Sequence, residues 1–130
     1  VIRRIIVGTY VLSEGYREDY YLKASRVRRI IREDLARVFE DGIGLILTPT
    51  AVGLPFPPGS KRNPVEMYLQ DQFTAAANLA GLPAISVPWP AEGFPVGLQL
   101  MAPAGDDAGL FLGAATLEAL AAVSDSGLTS

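Results

Sequence analysis

Residues 67–90, MYLQDQFTAAANLAGLPAISVPWP, constrain the fold most, because a helical pattern passes directly into a strand pattern there. Upstream, Asn63-Pro64 is typical of a helix start, with Asn as the cap and Pro in the first turn. The sequence predicts one helix from there to about Ala80, stopped by Gly81, and a strand over PAISVPWP. The small residues 74–80 allow close approach of a neighbour, which predicts that this helix is buried.

The remaining segments also alternate between helical and strand patterns. Residues 1–13 and 16–40 carry apolar side chains at helical spacing, with a break expected at Gly15. IGLILTPT is a short continuous apolar run, as expected of a strand buried on both faces. PVGLQLMAP predicts a third strand, residues 51–63 a proline-rich loop, and Asp106-Asp107 the start of a last helix.

The predicted order is helix, helix, strand, loop, helix, strand, strand, helix. Strands this apolar need helices on their faces, so the fold class is α/β, with helices layered on a sheet. Three short strands make a poor sheet alone, and we expect further strands to complete it.

Composition excludes several kinds of site. The 130 residues suit one domain and include no cysteine and no histidine. Disulfides, thiolate nucleophiles, Cys-based zinc sites and a Ser-His-Asp triad are therefore excluded. The acids are scattered, so we expect no metal site.

Charge and hydropathy bound the partners. A net charge of −3 gives no general reason to expect nucleic-acid binding. No apolar run reaches the roughly 20 residues of a membrane span, and no signal peptide is evident. We therefore expect a soluble, cytoplasmic protein without membrane contact.

Two charged features need an explanation. The arginine-rich helix over 16–40 has Glu33, Asp34 and Glu40 interleaved, which favours a solvated face with weak ion pairs over a phosphate-binding surface. Asp71 precedes the small residues of a helix expected to be buried, where a carboxylate must be paired or hydrogen-bonded. The residues alone leave a structural ion pair and a ligand contact both open.

Several motifs resemble a known family. GLPAISVP and GFPVGLQLMAP are similar to the C-terminal part of the amidase signature family. RRIIVGTYVLSEGY, YYLKASRVRRIIREDL and NPVEMYLQDQFTAAANLAGLPAISVP more narrowly resemble the A subunits of glutamyl-tRNA(Gln)/aspartyl-tRNA(Asn) amidotransferases, over about residues 1–120. The resemblance implies part of a three-layer α/β/α fold with a mixed sheet, whose N-terminal part is missing.

The resemblance also implies a division of the chain. Residues 1–130 are expected to be the C-terminal portion of a single amidase domain. A helical pair occupies 1–41, strands and their covering helices occupy 42–122, and 123–130 form a frayed tail. Val1 is not an initiator methionine and no capping residue precedes the first helix, so we expect a piece of a longer protein.

By the same resemblance, the full-length parent hydrolyses glutamine and supplies ammonia to a tRNA-dependent amidotransferase. The family uses a Ser–cis-Ser–Lys triad in a glycine- and serine-rich segment. No position here matches that segment, so the triad is expected N-terminal to Val1, with no catalytic residue in this chain and no activity of the chain alone. The implied partners are glutamine, the B and C subunits of the enzyme, and misacylated tRNA through its B subunit, which uses ATP and Mg²⁺; no cofactor is expected in this chain.

Two residues are expected to bind substrate. Aligned on the motifs, Asp71 falls where the family's acid contacts the substrate ammonium, and Arg4 where its arginine contacts the α-carboxylate. Arg3 would replace Arg4 if the first helix were rotated. A free amino acid carries both charges, and arginine offers a planar fork for the carboxylate while aspartate accepts from the ammonium.

The chain departs from the family pattern in three places. TPTAVGLPFPPGSKR has little of the usual Pro-Thr-Thr-Pro run, Trp89 and Pro90 lie where smaller residues are common, and Phe94 replaces a usual leucine. The alternative is therefore the C-terminal part of a general amidase that acts on another small amide. An alternative from another class is a non-catalytic binding domain that has kept half the pocket.

Overall fold

A computed structural model describes residues 2–12, 17–57, 59–60, 63–91 and 93–128. The helices are α1 (Ile2–Val11), α2 (Lys23–Glu40), α3 (Pro64–Leu69), α4 (Gln72–Ala80) and α5 (Asp107–Leu128), and the strands are β1 (Ile46–Pro49), β2 (Ala84–Trp89) and β3 (Val96–Met101). A π-helical segment, Arg17–Leu22, leads directly into α2. The predicted α/β class is confirmed, whereas the break predicted at Gly15 lies outside the described residues.

The three strands form one sheet in the order β1-β3-β2, and both pairs are antiparallel. The register pairs Thr48 with Gln99 and Ser86 with Gln99, so these three residues form one row across the sheet. Directly paired residues point to the same face of an antiparallel sheet. The sheet therefore has two faces that can be assigned residue by residue.

Helix α5 covers the apolar face. The buried core cluster consists of Val87, Leu100, Ala102, Leu110 and Ala114, which come from β2, the end of β3 and α5. The helix starts as predicted, because the carboxylate of Asp106 accepts a hydrogen bond from the Gly109 main-chain N–H at 2.9 Å. It runs to Leu128, past position 123 where the sequence predicts fraying.

The outer side of α5 is apolar as well. Phe111 and Leu112 are exposed, whereas Leu110, Ala114 and Ala121 are buried. By length and composition, the stretch Asp107–Ser124 of this helix would be able to cross a membrane, which the sequence patterns did not predict. A single helix of this kind is weak evidence for a membrane span, and its buried side packs on β2 and β3.

Strand β1 differs from its prediction. A strand buried on both faces was expected, but burial alternates along Ile46–Pro49 and Leu47 is 53% exposed. The reason is position: β1 lies at the edge of the sheet away from α5, which packs on β2 and β3. The prediction for this strand is wrong on one face.

The predicted helix from Asn63 to Ala80 has correct ends and a break in the middle. The side chain of Asn63 accepts a hydrogen bond from the Val65 N–H at 3.0 Å, and Gly81 ends α4 in the left-handed region at φ 72°. At Asp71 the main-chain N–H bonds to the carbonyl of Tyr68 at 3.2 Å. This tight turn, spanning three residues instead of four, separates α3 from α4.

Candidate functional site

The face of the sheet opposite α5 carries a row of polar side chains. Thr48, Gln99 and Ser86 are paired across β1, β3 and β2. Gln99 is buried and donates from its amide nitrogen to Thr48 Oγ1 at 3.2 Å and to the Phe73 main-chain oxygen at 3.2 Å. Phe73 belongs to α4, so the polar face of the sheet faces the first turn of that helix.

A hydroxyl pair extends the row toward the end of the sheet. Thr50 Oγ1 and Ser86 Oγ are 2.6 Å apart, and the main-chain N–H of Thr50 donates to the Gly97 oxygen at 2.8 Å. A Cβ on Gly97 would come within 2.8 Å of Thr50 Oγ1 and 2.9 Å of Ser86 Oγ. Glycine is therefore required here for the two hydroxyls to meet across β3.

A cleft of about 620 Å³ opens at this end of the sheet. We call it the strand-end cleft; it is lined by residues 49–56, by Gln70 and by residues 95–98. Its walls are mainly apolar, with Val52, Leu54 and Phe56 from the loop after β1. An apolar cleft with a few polar groups at its margin is the usual form of a small-molecule site.

Asp71 lies next to this cleft in sequence, one residue after Gln70. The structure places it at the capping position of α4, exposed, and not two turns inside a buried helix as the sequence predicted. Its carboxylate makes no capping hydrogen bond, and no ion pair joins it to any described residue. The structural ion pair considered from the sequence is therefore not found within the described ranges.

Arg4 lies in α1, which contacts the π-helical segment that precedes α2. Arg3 and Arg4 are both exposed, so the choice between them as the carboxylate ligand stays a prediction. No ion pair links either arginine to Asp71 in the part of the chain that the structure describes. The assignment of Arg4 and Asp71 as the two halves of one substrate site also stays a prediction.

The arginine-rich helix α2 has a mostly solvated surface. Arg29 and Glu33 approach to 3.6 Å and Arg37 and Asp34 to 2.7 Å, with all four side chains more than half exposed. Exposed pairs of this kind contribute little to stability. Arg28 differs, because its Nε donates to the main-chain oxygen of Leu79 at 2.8 Å and so caps the last turn of α4.

The polar residues beside the cleft were not predicted from the sequence. Sequence patterns did not single out Thr48, Thr50, Ser86 or Gln99, although the structure brings them together. The signal that could have found them was a polar residue within each apolar strand pattern, such as Ser86 in AISVPW and Gln99 in VGLQLM. The described residues include no group of three or more acids that could hold a metal ion, near this polar row or elsewhere.

Comparison with known proteins finds an amidase family model and relatives that share one name. A family model for amidases matches residues 1–111. The chain is 50% identical over 119 residues to the A subunit of a glutamyl-tRNA(Gln) amidotransferase from a Nitratiruptor species, a match that covers 91% of this chain and 27% of that protein. The corresponding A subunit from a Synechococcus species is 56% identical over 106 residues, or 79% of this chain and 22% of its own length.

A solved structure of the same kind of subunit has a similar fold. The crystal structure of the glutamyl-tRNA(Gln) amidotransferase A subunit from Thermotoga maritima is similar with a TM-score of 0.70 and 44% identity. The match covers 84% of this chain and 24% of that one. The chain thus spans about a quarter of the length of these relatives.

Proposed function

The chain belongs to the amidase family, and from this we propose that it is part of the glutamine-hydrolysing, ammonia-supplying subunit of a tRNA-dependent amidotransferase. In this proposal the chain contributes the glutamine-recognition side of the pocket, with Asp71 for the ammonium and Arg4 for the α-carboxylate. The Ser–cis-Ser–Lys triad belongs to another part of the parent protein, and this chain alone has no activity. High identity to the A subunits of that enzyme supports the assignment.

The state of Asp71 is the observation that carries the proposal. An exposed carboxylate without a capping bond or an ion pair among the described residues has its acceptor sites available. It adjoins Gln70, which lines the strand-end cleft. An ammonium group that bonds to this carboxylate gains a charge-assisted contact of about 1.5–3 kcal/mol.

Specificity follows from pairing both charges of the substrate. In the full-length parent, whose other parts would enclose the pocket, a simple amide without an ammonium and a carboxylate would leave Asp71 and Arg4 unpaired, and unpaired buried charges discriminate strongly against such a ligand. Glutamine satisfies both residues and leaves its side-chain amide for hydrolysis. The pair therefore selects the amino-acid end of the substrate without taking part in the chemical step.

The proposed assembly has further members. The names of the relatives specify an A subunit and a tRNA(Gln) substrate. We place the B and C subunits beside the parent protein, with the B subunit receiving the ammonia, binding the misacylated tRNA, and using ATP and Mg²⁺. The assembly would act in the cytoplasm, where translation takes place.

Ammonia release by the full-length parent tests this proposal, with glutamine, asparagine and a simple aliphatic amide offered in parallel. We expect a preference for glutamine, and a glutamine KM raised about tenfold or more in Asp71→Asn and in Arg4→Ala. Asp107→Asn and Arg37→Ala are matched controls, because they remove the same charges from α5 and α2. An unchanged KM in Asp71→Asn would refute the role of this residue.

A general amidase is the second candidate, and the apolar lining of the strand-end cleft favours it. Val52, Leu54 and Phe56 suit a substrate with an apolar group more than the charged end of an amino acid. This candidate predicts equal or faster turnover of the aliphatic amide, with Asp71→Asn and Arg4→Ala unaffected. Copurification of the parent with two further proteins of the assembly would decide against it.

A further inference from the structure

Gln99 is the buried polar side chain of the described part of the chain, with 4% of its surface exposed. It lies within β3, the central strand of the sheet. A buried amide costs free energy unless its donors find acceptors, and a methionine would fill the same space without that requirement. Both donors of the Gln99 amide are used, on Thr48 Oγ1 and on the Phe73 main-chain oxygen.

The second of these bonds leads to Asp71. Phe73 lies in the first turn of α4, two residues after Asp71. Because the Asp71 carboxylate makes no capping bond, the main chain of this turn sets its position: the Asp71 main-chain oxygen accepts from Ala75 N at 2.9 Å and from Thr74 Oγ1 at 3.1 Å. An interaction that fixes the first turn of α4 therefore also fixes the position of Asp71.

The two ends of α4 are held in different ways. At the C-terminal end, residues 81–83 connect directly to β2, and Arg28 caps the Leu79 oxygen. At the N-terminal end, Asp71 and Gln72 are exposed, and the bond from Gln99 joins the first turn to the central strand. Helix α2 packs on α4 as well, and the bond from Gln99 ties the first turn of α4 to the sheet.

We propose that Gln99 is a positioning residue, which sets the location of the Asp71 carboxylate by fixing the first turn of α4 on β3. This inference rests on the proposed function, in which Asp71 binds the ammonium of glutamine. Gln99 acts through Asp71 and does not touch the substrate. Its loss therefore weakens binding in the ground state and the transition state alike, which raises KM and leaves kcat nearly unchanged.

Gln99→Met in the full-length parent is the direct test, because it keeps the side-chain length and removes both donors. We expect the glutamine KM to rise about five- to tenfold, with kcat changed less than about twofold. Thr48→Val is the matched control: it removes the other acceptor of the same amide and leaves the bond to Phe73. Its KM should stay within about twofold of the unmodified protein.

The double variant separates this inference from the proposed function. Gln99→Met added to Asp71→Asn should raise KM no further, because both changes remove the same contact. A raised KM in Asp71→Asn with a normal KM in Gln99→Met would overturn the positioning role and leave the proposed function intact. Normal KM values in both single variants would refute both.

Two further results complete the test. Equal increases in KM for Gln99→Met and Thr48→Val would assign the effect to the sheet as a whole and overturn the proposal. Should Gln99→Met fail to fold, Gln99→Asn replaces it, since its amide is retained on a side chain one carbon shorter, too short to reach the Phe73 oxygen from the same backbone position. The same rise in KM is then expected, and a normal KM would count against the proposal.

Discussion

The two faces of the three-stranded sheet differ in the interactions that cover them. The face under α5 is apolar, and its contacts with Leu110 and Ala114 are non-directional. The opposite face carries Thr48, Ser86 and Gln99, whose hydrogen bonds join particular atoms on separate elements. Burial stabilises a fold without fixing individual atoms, whereas the Thr50–Ser86 bond fixes the loop after β1 and the Gln99–Phe73 bond fixes the start of α4 beside the cleft. The face under α5 therefore contributes mainly apolar burial, whereas the opposite face, which also buries Met101, carries the bonds that set position.

The largest effect is expected on the apolar face. Leu100→Ala removes a buried side chain of the core cluster and leaves a cavity between the sheet and α5. It should lower the free energy of unfolding of the full-length protein by about 2–4 kcal/mol, measured by urea denaturation. Any activity that remains in the folded fraction should show an unchanged glutamine KM. A raised KM without loss of stability would contradict the assignment of separate roles to the two faces.

A smaller effect is expected at the hydroxyl pair of the polar face. In Gly97→Ala the new methyl group would push apart Thr50 Oγ1 and Ser86 Oγ, which lie on either side of it. We expect a loss of about 1–3 kcal/mol in unfolding free energy and a changed KM, because the loop that lines the cleft starts at Thr50. Gly44→Ala is the control, since nothing lies within 4 Å of a Cβ there and Gly44 does not line the cleft. Equal losses in both variants would show that the hydroxyl pair has no special role.

Local signals in the sequence predicted the ends of the elements well. Asn63 and Gly81 mark the outer ends of the α3–α4 segment, and Asp106 caps α5, because capping depends on neighbours within a few residues. The break at Asp71 was missed, since no glycine or proline marks it. The exposed face of β1 was missed as well, because the sequence does not show which strands α5 covers.

The candidate site was less predictable for a related reason. Thr48 and Gln99 are 51 residues apart in sequence, and only the pairing of β1 with β3 brings them together. Such a row depends on strand register, and periodicity within one strand does not determine register. Asp71 was identified through a family resemblance, whereas the residues that surround it required the structure.

Two aspartates at the starts of two helices sharpen the comparison further. Asp106 caps α5, the helix that covers the apolar face, with a side-chain hydrogen bond. Asp71 begins α4 without such a bond. Asp106→Ala should cost about 1 kcal/mol of unfolding free energy with a normal glutamine KM. Asp71→Ala should cost less than about 0.5 kcal/mol and raise KM. Equal losses of stability would mean that Asp71 is a helix cap, and its proposed role in binding would lose its main support.

The smallest effect is expected on α2, whose solvated surface belongs to neither face of the sheet. Arg37→Ala removes an exposed pair with Asp34 and should change the unfolding free energy by less than about 0.5 kcal/mol. Arg28→Ala should cost about 0.5–1 kcal/mol, because it frees the Leu79 oxygen at the end of α4. Both variants should keep the glutamine KM, since α4 remains tied to β3 at the end that carries Asp71. A raised KM in Arg28→Ala would mean that the position of Asp71 depends on both ends of α4, and Gln99 would then share its role.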